Sequence, residues 1–200
     1  VGAGVVGQQR PALRRHGLAD RLRHRLAQLG RDRREIAITI DDGYRDVLSV
    51  ILPIMEEYRC PFKVYLNAEQ VDGELGWLNK LSFILTRLEP AEAAAFAREA
   101  LPGAVVKNPQ KVAEYRRLFE FPTTRDVVDR RFAALHDGMV LPKLFLSRDD
   151  VLALSKHPLI EWGSHTLSHM PLDRLSSSER ARQIKEGHLR LRGILGDKLQ

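Results

Sequence analysis

The chain contains a single cysteine among its 200 residues. That excludes an internal disulfide framework and any metal site built from several thiolates. Cys60, just before Pro61, reads as a small core residue beside a strand rather than a reactive thiol. No apolar run approaches the roughly 20 residues needed to cross a bilayer. The opening VGAGVVGQQRP has neither a charged leading region nor a long apolar stretch, so it does not read as a secretion signal. Compartment therefore stays open between the cytoplasm and the cell envelope. Internal repeats and low-complexity linkers are also absent.

What is present describes a soluble globular chain with enough residues for one sizeable core, at 44% hydrophobic and 29% charged content. The net charge of +6 is unevenly placed, because residues 1–34 hold nine arginines and only two aspartates. Leu18, Leu22, Leu26 and Leu29 recur there at helical spacing, and Gly30 follows as a helix stop. The segment reads as a basic amphipathic helix with its arginines in water, in preference to a nucleic-acid-binding arm.

Ile36 to Ile40 is short, β-branched and apolar, as expected of a strand covered on both faces. Val47, Val50, Ile51, Ile54 and Tyr58 then give a helical period with Pro53 in its first turn. Residues 60–67, CPFKVYLN, read as a second strand, so the unit is a parallel strand–helix–strand. Residues 74–145 suggest an inserted run of four helices, around Leu78–Leu88, after Pro90, over Glu114–Phe121 and over Arg125–Leu135. Ser147 with Asp150 and Ser176 with Glu179 are spaced as capping boxes, each opening a further helix. Between those helices, residues 159–165 (LIEWGSH) read as a third strand. In the last helix, Ala181, Ile184, His188, Leu191 and Leu195 are expected to share the buried face. Strand and helix alternate, which argues for an α/β fold with its site at the strand C-termini.

Two polar clusters sit at such strand ends. The first is Asp41-Asp42-Gly43, where one acid would suffice for a turn. The second is SHTLSH, in which His165 and His169 are four residues apart. Pro171 disfavours a helical Met170, so the pair belongs on a strand-to-loop turn rather than in a helix. Two imidazoles and one carboxylate make a three-donor site with open positions, suited to a catalytic Zn²⁺ or similar divalent ion. The adjacent acids then divide the work, one binding the ion and the other accepting a proton from water. Successive side chains diverge at a strand end, so neighbours can take different roles.

TIDDGYRD together with GSHTLSH resembles the polysaccharide deacetylase family, the NodB-homology domain of carbohydrate esterase family 4. The family writes its first motif TFDDG, with Ile40 here in place of Phe, and its second HS/T-x-x-H, intact here. The likeness runs over about residues 36–70 and 145–196, including LPIMEEY, PFKVYLN and the LSRDDVLAL to MPLDRLS segment. Lys63 and Arg148 depart from commoner family choices without touching the expected site. The resemblance implies a distorted (β/α) barrel, of which three strands are legible, and hydrolysis of an N-acetyl group on a carbohydrate. It implies Asp41 as catalytic base and Asp42, His165 and His169 as metal ligands, with Zn²⁺ the expected ion. The chain then divides into a basic segment, 1–34, and a domain over 35–200 carrying the 74–145 insertion, both the segment and the insertion lying outside the resemblance. The family's later aromatic-Pro-Tyr-Gly motif and its further histidine do not occur by Gln200, so the domain reads as incomplete. A partial barrel would expose strand edges and favour self-association. Other readings are an amide hydrolase of related chemistry, or a sugar-binding or assembly domain without turnover. Tyr44 and Trp162 stand next to the motifs and are candidate substrate contacts, while His188 reads as a core or interface residue.

Overall fold

The computed structural model describes residues 37–137 and 139–200. The basic segment 1–34, with its expected helix, lies outside the described residues. Three strands form a parallel sheet in the order β1 (Thr39–Ile40), β2 (Phe62–Leu66), β3 (Ile160–Ser164). Ile40 pairs with Val64, and Val64 with Trp162, so β1 and β3, whose ends carry the polar clusters, flank β2 in register. The parallel order follows from the strand–helix–strand connection that leads from β1 to β2.

Burial alternates along β2, with Phe62, Val64 and Leu66 inside and Lys63 and Tyr65 half-exposed. Helices cover one face of the sheet. A π-helical turn, Val47–Ile51, runs into α1 (Leu52–Glu57), and both pack on that face with α7 (Arg148–Leu154) and α8 (Ser177–Leu195). The expectation that the first strand is covered on both faces is corrected accordingly: Thr39 is exposed and Ile40 only half-buried. On the face that no described helix covers, the Tyr65 ring closes over Gly163, where a Cβ would lie 2.5 Å from the ring. Lys63 Nζ on the same face donates to Gln200 Oε1 at 2.8 Å. Leu199 pairs in parallel with Trp162, and the Gln200 N–H donates to the Trp162 carbonyl at 3.0 Å, along the outer edge of β3.

Between β2 and α7 lie α2 (Ala68–Val71), α3 (Trp77–Leu85), α4 (Pro90–Ala100), α5 (Val112–Leu118) and α6 (Thr123–His136). The last four are the helices expected of the insertion. They enclose a second apolar core built on Trp77, Leu81, Ile84, Phe96, Tyr115 and Val128, separate from the sheet core around Val64, Leu66 and Trp162. Lys80 pairs with Asp129 at 2.9 Å, joining α3 to α6, and Arg125 pairs with Glu69 at 3.0 Å, joining α6 to α2.

Both capping signals act at helix starts. Ser147 and Asp150 form a reciprocal box. Ser176 accepts from the Glu179 N–H, whereas the Glu179 carboxylate turns to Arg182 and Gln183. The buried face of α8 differs from the expected one. Gln183, Gly187, Leu191 and Leu195 face inward, leaving Ala181 and Ile184 exposed and His188 half-buried. A glycine and a glutamine at the contact hid that face from a reading by hydrophobicity. Among the described residues, no helix is long and apolar enough to cross a membrane.

Candidate metal centre

Past β1 the backbone enters the left-handed region at Asp42 (φ 67°) and Gly43 (φ 66°). Aspartate tolerates this conformation better than most side chains, and glycine accepts it freely. Gly43 also leaves room for the Leu66 side chain, because a Cβ there would sit 2.4 Å from Leu66 Cδ2 and force it to shift. The turn is held from outside by the segment before α7. The Leu146 N–H donates to the Gly43 carbonyl and the Arg45 N–H to the Leu144 carbonyl, both at 2.8 Å. Arg45 reaches the Asp150 carboxylate at 2.9 Å, so one side chain caps α7 and anchors the acidic turn. Burial pushes the Asp150 carboxyl up, but hydrogen bonds from Ser147 and the charges of Arg45 and Lys143 hold it below its ordinary value.

The histidine loop begins as an extension of β3, with the His165 N–H donating to the Leu66 carbonyl at 2.7 Å. Thr166 (φ 74°) and His169 (φ 56°) then take left-handed backbone. Each such non-glycine residue costs on the order of 1 kcal/mol or more, and persists only when its surroundings over-determine it. Here they do. Fully buried Asn67 donates to the His165 carbonyl, and the Trp77 indole donates to the His169 carbonyl at 3.0 Å. The His169 N–H donates to Thr166 Oγ1 at 3.2 Å. Buried Gln183 accepts from the Ser168 N–H and hydroxyl at 3.1 and 2.9 Å. Gly187 lets α8 press on the loop backbone, since a Cβ there would lie 2.5 Å from the Thr166 carbonyl carbon.

These constraints bring three donors together. Nε2 of His165 and Nε2 of His169 lie 3.6 and 3.4 Å from Asp42 Oδ1. The three ligand atoms are all within 4.8 Å of one another. Asp42 Oδ1 is buried and has no hydrogen-bond partner among the described residues. A buried carboxylate oxygen in that state is costly unless a cation compensates it, so this donor set fits a divalent ion. Burial depresses the His169 pKa, with the charges of His165 and Arg116 adding to the effect and those of Asp42 and Asp41 opposing it. A neutral imidazole keeps a lone pair for a metal. Asp41 is exposed, stands outside the triad, and acts on His169 through its charge.

The other expected contacts fall differently. Tyr44 is 38% exposed, with its ring 4.6 Å from Phe145 and its hydroxyl accepting from Asn79 at 3.4 Å. Trp162, expected as a second substrate contact, is only 1% exposed and fills the sheet core, which leaves no ring surface for a ligand. Asn67, Trp77, Gln183 and Gly187 were not singled out from the sequence. Asn67 alone had a visible signal, as a polar residue ending an apolar strand in the manner of the acidic pair. None of the triad lines the groove of about 630 Å³ between Gln70, Phe132 and Phe145.

A family model described as polysaccharide deacetylase matches residues 29–200. No curated protein and no solved structure matches the chain.

Proposed function

The chain belongs to the polysaccharide deacetylase family, and from that premise we propose that it is a metal-dependent hydrolase removing N-acetyl groups from a carbohydrate. Membership supports the broader function, hydrolysis of a non-peptide carbon–nitrogen bond on a sugar. The finer reading is carried by one observation, the unpartnered buried Oδ1 of Asp42 facing two imidazole Nε2 atoms.

In this reading Asp42, His165 and His169 hold the ion, zinc by its preference for two nitrogens and one oxygen. The ion would supply Lewis acidity toward the acetamide carbonyl and lower the pKa of water. Asp41, exposed beside the triad, takes the proton of the attacking water as its oxygen bonds to the acetamide carbon. When the carbon–nitrogen bond breaks, that proton passes to the departing amine, giving acetate and a free amino sugar. The left-handed turns at Asp42 and His169 hold the donors before any ligand arrives, so binding does not have to order them. The three strands belong, on this proposal, to a distorted (β/α) barrel within a domain spanning 35–200, with residues 74–145 as its helical insertion.

Acetate release from N-acetylglucosamine oligomers, followed beside metal content, tests this. Wild type should bind about one equivalent of zinc and release acetate, and chelation should stop the release. Asp41→Asn should keep the metal and lose about 100-fold or more in turnover. Asp42→Ala should lose both. Bound metal without acetate release from wild type would favour a sugar-binding domain, and release from non-sugar acetamides alone a different amide hydrolase.

A further inference from the structure

We infer that the metal centre is flanked by an anion subsite, in which Arg116, Arg117 and Arg174 receive the charged group of a sugar unit neighbouring the acetamido sugar. The inference rests on the deacetylase reading and names its substrate class as an anionic glycan. A groove of about 290 Å³ opens beside His169, which forms part of its wall. That is close to the smallest clefts that hold small ligands, roughly 300 Å³. Three arginines line it with one acidic residue, Asp173, and Trp77 and Pro171 add apolar wall.

The arginines come from two separate elements. Arg116 and Arg117 close the last turn of α5, in the insertion, and Arg174 lies on the 3₁₀ turn Leu172–Arg174 after the histidine loop. A favourable place at a helix C-terminus would account for the first two. It does not account for Arg174 converging on the same groove from another segment.

Two of the three already meet an acidic side chain. Arg117 pairs with Glu114 at 3.1 Å and Arg174 with Asp173 at 3.4 Å, with the arginine side chains 55% and 48% exposed. The Arg174 pair, exposed on both sides, contributes little, while the Glu114 carboxylate that Arg117 meets is only 18% exposed. Arg116 has no ion-pair partner among the described residues. A carboxylate or sulfate offers guanidinium the paired oxygens it binds best, and desolvation beside the groove wall strengthens that contact. Because the groove shares His169 with the triad, an anion bound there belongs to a unit beside the reacting one. Uronic acids and sulfate esters both provide the required charge.

Titration calorimetry on the full zinc-loaded chain decides this without requiring turnover. Three tetrasaccharides of equal length serve as probes: a neutral N-acetylhexosamine oligomer, one alternating with uronic acid, and a sulfated one. At low salt at least one charged probe should bind roughly tenfold more tightly than the neutral one, with the advantage shrinking as salt rises. The stronger of the two identifies the anion. Charged and neutral affinities should converge in Arg116→Ala/Arg117→Ala and, from a separate element, in Arg174→Ala. Arg130→Ala, which removes an equal charge from an exposed pair with Glu99, should leave the ratio unchanged. Equal affinities for all three probes in wild type, or a ratio indifferent to the groove variants, would overturn the subsite. Arginine-dependent preference without acetate release would instead sink the deacetylase reading and keep the subsite.

Discussion

Asp41 and Asp42 are adjacent in sequence and unlike in surroundings. One is exposed, while the other has an oxygen buried against two imidazoles. The chemical types of the site were legible in the sequence, because strand ends and the four-residue histidine spacing are local signals. Apart from Asn67, the residues that hold the loop were not, since they act across the fold: Trp77 reaches His169 from 92 residues away. Trp77→Phe keeps the apolar packing and removes one hydrogen bond to the His169 carbonyl. It should weaken zinc affinity about tenfold, as loss of an outer partner of a metal ligand commonly does, read by competition with a chromogenic chelator. Unchanged affinity would mean that the left-handed turn at His169 holds itself.

At the scale of elements, helix starts and the insertion's four helices were readable because caps and apolar periods are written in neighbouring residues. The face of α8 was not, since the contact there is a glycine against backbone. This gives Gly187→Ala a decisive sign. In an open helix the change would stabilise by about 0.5–1 kcal/mol through chain entropy. Against the Thr166 carbonyl carbon it should destabilise by about 1–3 kcal/mol, measured by urea denaturation. The start of α7 carries a pH dependence as well. The Asp150 carboxyl lies below its ordinary value in the folded chain. Its contribution is therefore present above the ordinary carboxylate pKa and is lost as pH falls through the folded value. The stability gap between wild type and Asp150→Asn should hold steady from neutral pH down to the ordinary carboxylate range and close as the pH falls through the folded value. A gap that widens in acid would contradict the Arg45 and Ser147 contacts.

For the whole molecule, the α/β class and parallel order followed from alternating elements, but the division into two apolar cores did not. Patterning marks which residues are buried without saying which of them meet. The histidine loop lies across the seam. Leu167 packs in the sheet core, while Met170 and Leu175 pack with the insertion's helices. Filling the site with zinc at 100 times its dissociation constant should stabilise the fold by about 2.7 kcal/mol, seen as a higher denaturation midpoint that a chelator reverses.

The two tryptophans give that seam a further meaning. Trp162 stands in the sheet core and Trp77 in the helical one. Each single-tryptophan variant therefore reports the melting of one half by its own fluorescence. Without metal, Trp77→Phe and Trp162→Phe should follow separate transitions, because each remaining tryptophan stands in its own apolar core. An ion gripped by Asp42 and His165 on one side and His169 on the other would act as a cross-link between cooperative units, and the two emission curves should then fall on a single midpoint.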